Sequence, residues 1–144
     1  MKTIEKSVLI WFSAREMFDL IVDVPTYPQF LPWCDKAEIL TQTDSGMTAR
    51  IGMAFSGLHK SFTTQNTHID GRQVQLELID GPFKHLSGVW DFIPLGQEQA
   101  CRVELKLSYS FDSVFGALVG PVFDKIASTL VDAFVKRAET VYQR

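Results

Sequence analysis

In the segment 59–69, Thr64, Asn66 and His68 fall at every second position, in step with Phe62. Their neighbours Ser61, Thr63, Gln65 and Thr67 are all polar and are expected to face water. Strand alternation then turns Phe62, Thr64, Asn66 and His68 to the inner side of a strand. Buried polar groups need partners. The three can bond to one another, to the backbone or to water, or they can anchor the polar head of an otherwise apolar ligand. The assignment requires an unbroken strand, because a bulge reverses the faces.

Other residues able to do chemistry are sparse. His59, His68 and His85 show no metal-ligand spacing, and Cys34 and Cys101 form no CxxC pair. They are expected as reduced thiols, with the apolar surroundings of Cys34 raising its pKa rather than activating it. No Gly-rich phosphate loop, G-x-S-x-G elbow or carboxylate pair appears. A cyclase working through cavity shape and one acid or base would have Tyr109 or His68 as nominees. The expectation is a chain with no catalytic residue, no metal and no cofactor.

The stretch "YPQFLPWC" at 27–34 is as apolar as a core, yet Pro28 and Pro32 forbid a long helix and cannot donate in a ladder. Tyr27, Phe30, Leu31 and Trp33 therefore either close one end of the core or line an apolar pocket. Further on, Pro82-Phe83-Lys84 precedes Gly88 and Trp90. Gly88 allows the sheet to bend and Trp90 fills the core. Phe83 is expected near a pocket mouth beside Trp33.

These residues need elements to hold them. Residues 3–12 read as a strand, and Ser13-x-x-Glu16 is a capping box opening a helix with Met17, Phe18 and Ile21 on its apolar stripe. Strands follow at 36–43, 47–55, 59–69, 73–79, 85–93 and 101–111, with turn signals at Asp44-Ser45-Gly46, Gly57, Asp70-Gly71 and Asp80-Gly81-Pro82. Ala49, Ile51, Met53 and Phe55 alternate in one of these. Val74, Leu76 and Leu78 alternate with Gln73, Gln75 and Glu77, and Val103, Leu105, Leu107, Tyr109 and Phe111 alternate with polar residues. That is a sheet dry on one face. From 122 to 142 the period becomes helical, with Phe123, Ile126, Ala127, Leu130, Phe134, Ala138 and Val141 on one face. Phe123 and Leu130 join the candidate pocket. Gly116, Gly120 and Pro121 ahead of this helix read as a loop, either a plain linker or a lid.

The whole composition sets further bounds. The 144 residues suit a single domain spanning 1–144. A net charge of −3 argues against broad phosphate binding and against DNA as a partner. Lys60, Lys84, Lys125, Lys136, Arg137 and Arg144 remain available for a local basic patch. The N-terminal segment has neither signal nor transit character, and no apolar run reaches membrane-spanning length. The cytoplasm is the expected compartment.

This order of segments resembles the helix-grip fold of START-type lipid-transfer proteins, polyketide cyclases and birch-pollen-type allergens. "DVPTYPQFLPWC" at 23–34 and "DGPFKHLSGVWDF" at 80–92 resemble the bacterial and mitochondrial family of coenzyme Q-binding START-like proteins, and the resemblance spans residues 3–143. It implies an α+β domain: a curved antiparallel sheet of about six or seven strands around a long C-terminal helix, with short helices after the first strand. It also implies two activities. One is binding of a hydrophobic small molecule, an isoprenoid quinone such as ubiquinone or a related lipid, in a cavity between sheet and helix, in support of respiration. The other is binding of the large ribosomal subunit to block subunit joining, since the family includes a ribosome-association toxin. A polyketide aromatase/cyclase is a third possibility from the wider superfamily. Transient contact with a membrane surface, peripheral to the inner membrane, would accompany lipid binding.

Overall fold

The computed structural model describes residues 1–55, 57–96, 99–111 and 113–143, with backbone alone at 55 and 113–115. The chain forms β1 (Lys2–Ile10), α1 (Ala14–Val22), a 3-10 helix (Val24–Gln29), β2 (Cys34–Thr43), β3 (Gly46–Phe55), β4 (Leu58–Ile69), β5 (Gln73–Asp80), β6 (Phe83–Leu95), β7 (Ala100–Phe111) and α2 (Ser113–Tyr142). The seven strands make one curved sheet in the order β1-β7-β6-β5-β4-β3-β2, and every neighbouring pair is antiparallel. From β2 to β7, consecutive strands pair as hairpins. The first strand closes against the last, with Lys2 opposite Tyr109 and Ile10 opposite Cys101.

Local chemistry explains the elements. At the start of α1, the Glu16 N–H donates to the Ser13 hydroxyl at 3.0 Å and the Ser13 N–H donates to the Glu16 carboxylate at 2.9 Å, completing the capping box. Met17, Phe18 and Ile21 are buried as the stripe requires, joined by Ala14 and Leu20. The turn after β4 places Gly71 at φ +69°, a conformation costly for any residue with a Cβ. Val103, Leu105, Leu107 and Tyr109 are buried on the inner face of β7, and Met47, Ala49, Ile51 and Met53 on that of β3. The side chain of Phe55 lies outside the described residues. The buried residues form two hydrophobic clusters. The larger joins α1, β5 to β7 and α2, and the smaller joins Val24, Leu31 and Cys34 to the inner face of β3.

Three expectations need correction. Gly116 to Pro121 is not a loop but the first turns of α2, which begins at Ser113. Pro121 costs a helix roughly 3 kcal/mol in the interior, but Val119 is 1% exposed, so packing holds this turn in place. Val141 is 44% exposed rather than on the core face, because it lies beyond Ala138, the last fully buried residue of α2. Thr63 points outward as expected, yet it is only 8% exposed, set between Arg50 and Asp80 of the neighbouring strands. A bulge does occur beside Thr63 and Thr64, but the extra residue belongs to β5. The alternation within β4 survives, and Thr64 and Asn66 are buried.

Candidate functional site: an apolar cavity

Between the sheet and α2 lies a cavity of about 100 Å³. Tyr27, Leu31 and Trp33 reach it from the stretch between α1 and β2, Phe62 and Trp90 from the sheet, and Phe123 and Leu130 from α2. These were all candidates from the sequence. The remaining walls are Ile51, Leu76, Leu86 and Leu107 from the sheet with Ile126, Ala127 and Phe134 from α2. All but Leu86 already stood out by periodicity as core positions; nothing in the spacing marks which core positions border a void.

The cavity sits between the two hydrophobic clusters. Tyr27, Phe30, Trp33, Phe62 and Leu130 are partly buried and pack against both. The prolines end the 3-10 helix early, and backbone bonds then fix the segment: the Leu31 N–H donates to the Tyr27 carbonyl at 2.9 Å, and the Ala54 N–H to the Trp33 carbonyl at 2.8 Å. The Tyr27 hydroxyl donates to the Ile21 carbonyl, and burial pushes the phenol's pKa upward. Its ring stands edge-on to Phe134 at 5.5 Å, and Trp90 meets the same ring at 5.5 Å. Among the described residues, no lining side chain is charged, and Tyr27, Trp33 and Trp90 carry the hydrogen-bonding groups.

Five sequence candidates do not border the cavity. Phe30 lies just outside it, 5.2 Å from the Phe134 ring. Phe83 is not at a mouth: it is buried, stacked on Phe111 at 4.7 Å and edge-on to Phe62 and Phe123 at 5.5 and 5.1 Å. Its bulge at Lys84 turns the ring inward while Lys84 stays exposed. Thr64 donates to the Asn66 side-chain carbonyl at 2.8 Å, so these two satisfy each other. His68 stands edge-on to Phe18 at 5.8 Å, and its Nε2 is buried without a hydrogen-bond partner. Burial lowers its pKa, opposed by Asp70. Thr64 and Asn66 lie beside Ala49 and Met47 of β3, His68 meets Phe18 of α1, and none of the three lines the cavity.

The nominated acids and thiols are structural in their surroundings. Tyr109 donates to Asp124, which also accepts from Lys2 Nζ at 2.6 Å. Burial and this bond raise the Tyr109 pKa, while Lys2 and then Tyr109 hold the Asp124 carboxyl below the usual range. Cys34 and Cys101 are buried free thiols, each pushed up to about 11 by burial. Among the described residues no cluster of His, Cys, Asp and Glu could hold a metal ion, and no helix is long and apolar enough to cross a membrane.

A curved antiparallel sheet holding one long helix over an apolar cavity defines a START-like helix-grip domain. The chain belongs to the polyketide cyclase/dehydrase and lipid transport family, whose pattern matches residues 10–135. It is 43% identical over 143 residues to the ribosome association toxin RatA of Vibrio cholerae, covering 99% of each chain. It is 29% identical over 143 residues to the mitochondrial coenzyme Q-binding protein COQ10 homolog B of Xenopus laevis, covering 96% of this chain and 59% of that one. Among solved structures, the Zhui aromatase/cyclase of Streptomyces superposes with a TM-score of 0.81 at 18% identity, covering 96% and 93% of the two chains; this likeness is one of fold.

Proposed function

We propose that this chain is a non-enzymatic binding protein that holds the apolar part of a lipid or isoprenoid quinone between its sheet and α2. The observation that carries this reading is the uncharged cavity walled by Tyr27, Trp33, Phe62, Trp90, Phe123 and Leu130. Sites enclosing drug-sized ligands run to roughly 300–1,000 Å³, so a ligand here must spread the walls of a 100 Å³ void. Burial then supplies most of the affinity, at about 25 cal/mol per Å² of apolar area. Release of such a ligand requires a lipid acceptor, which favours transient contact with a membrane surface.

Trp33 and Trp90 both border the cavity, so a quinone entering it quenches their fluorescence. Titration with a short-chain ubiquinone is expected to give saturable quenching at one site per chain, and native mass spectrometry is expected to find co-purifying lipid. Linear, unsaturable quenching with no lipid recovered would remove the reading.

A second reading concerns the surface rather than the interior: association with the large ribosomal subunit to block subunit joining. It is favoured by 43% identity over 99% of both chains to a protein named for ribosome association. Lys125, Lys136 and Arg137 share α2, Lys60 and Lys84 lie exposed on the sheet, and Arg144 lies outside the described residues. Co-sedimentation with separated subunits across a salt series is expected to show binding that falls steeply with salt; salt-independent absence from the subunit fractions would exclude it.

A further inference from the structure

Beside the cavity, on the outer side of α2, a second recess runs along the seam between the 3-10 helix and α2. Gln29 and Phe30 form one bank, and Asp132, Lys136 and Arg137 contribute to the other. One partition separates recess from cavity. Phe134 and Leu130 face the cavity, and Phe30 closes on Phe134 from the recess side at 5.2 Å. Phe30 is itself held from outside: the Arg137 guanidinium lies 5.1 Å over its ring, and Arg137 Nη2 donates to the Gln29 side chain at 2.9 Å. Gln29 and Phe30 are consecutive, so displacing that turn removes both contacts together.

Arg137 has one donor in excess. Its Nε is buried with no hydrogen-bond partner, a costly state for a guanidinium N–H. Nε and Nη2 form one edge of the guanidinium fork, matched in geometry to the two oxygens of a carboxylate. In this conformation Gln29 occupies half of that edge. Lys136 adds positive charge to the recess and Asp132 opposes it.

We propose that this seam is the entrance and head-group site for a single-chain amphiphile ending in a carboxylate. The head replaces Gln29 on the Nε–Nη2 edge of Arg137, and the chain passes between Phe30 and Phe134 into the cavity. The inference rests on the cavity binding an apolar chain, and it narrows the ligand. A quinone carbonyl accepts one bond at this edge, whereas a carboxylate accepts two and brings the opposing charge.

The test uses cis-parinaric acid, its methyl ester and a short-chain ubiquinone as probes of the whole protein. Wild type is expected to bind the acid roughly tenfold or more tighter than the ester, the scale of a charge-assisted pair. Arg137→Met is expected to remove that preference while keeping the ester's affinity. Phe30→Ala, or Phe30→Leu should the first variant fold poorly by circular dichroism, is expected to speed entry and exit of both probes with the acid preference intact. Equal binding of acid and ester by wild type, or an acid preference unchanged in Arg137→Met, overturns the head-group site and leaves the cavity reading standing. Unchanged rates in the Phe30 variants overturn the entrance. Tighter ubiquinone than acid binding, lost in Arg137→Met, assigns the seam to a neutral acceptor and overturns the carboxylate. Failure of every probe to bind wild type removes the cavity reading, and this proposal with it.

Discussion

Two groups of aromatic rings meet α2, and they differ in what they leave between them. The rings of Phe83, Tyr109 and Phe111 approach one another and the inner side of Phe123 at 4.7 to 5.9 Å, and none of these three borders the cavity that Phe123 faces. Around Phe134, Tyr27, Phe30 and Trp90 come as near, at 5.2 to 5.5 Å, yet a void remains beside them. Ring spacing does not distinguish the two. The source of two of the rings does, Trp90 being held by the strand ladder like the filled group. Phe83, Tyr109 and Phe111 come from paired strands whose ladder sets their positions, while Tyr27 and Phe30 come from a proline-interrupted turn and are half-buried. The ladder fixes Trp90 and Phe62 on one side of the void; the short turn that carries Tyr27 and Phe30 on the other side has no such ladder and can yield.

The comparison can be broken by substitution. Phe83→Ala, in the filled group, is expected to cost about 3–5 kcal/mol, read as a lower denaturant midpoint at unchanged slope. Leu105→Phe, also against filled core, is expected to cost about 1–3 kcal/mol through overpacking. Leu130→Phe adds similar bulk beside the void; its stability is expected within about 1 kcal/mol of wild type, with probe binding lost. Equal destabilisation by the last two would erase the distinction.

Finer differences follow from the hydroxyls. Tyr109→Phe deletes a bond to a carboxylate and is expected to cost about 1.5–3 kcal/mol, against about 0.5–1.5 kcal/mol for Tyr27→Phe, whose bond is to a carbonyl. Asp124 sits below its ordinary value of 3.8, so its contribution is full above that pH and fades as pH falls toward the lower folded value. The smallest effect belongs to His68. Its folded pKa lies below 6.5, so the unfolded chain takes up the proton first and stability falls as pH drops through 6.5. His68→Leu is expected to flatten that decline in thermal melts between pH 7 and 5.

Much of the fold was legible because burial imposes a period. Val74, Leu76 and Leu78, or Val103 to Tyr109, reveal strand and face together, and Phe123 to Ala138 does so for the helix. The start of α2 was hidden because Gly116, Gly120 and Pro121 oppose a helix locally and only tertiary packing overrides them. In the candidate site, "YPQFLPWC" announced itself through apolar residues where no long element can form. The sequence could not separate Phe62, which borders the void, from Phe83, which does not: Phe83 falls ahead of the strand read at 85–93, and the bulge at Lys84 that turns its ring inward has no signal in the spacing. The alternation puts Thr64 and Asn66 on the buried face, but that none of the trio lines the cavity depends on the curvature of the sheet.

The pairing of β1 with β7 has a consequence for the order of assembly. Lys2 finds its partner only when Tyr109 exists. At roughly 5–20 residues per second of synthesis, the first strand waits about 5–20 s for its neighbour. The hairpins from β2 to β7 can zip in sequence during that interval, but α2 follows all seven strands, so their apolar face stays open until α2 is made. Long-range closure of this kind also slows folding once it begins. The nascent domain is thus a half-dressed sheet until α2 emerges, and the interval before α2 docks is when it depends most on chaperones and is most prone to aggregate.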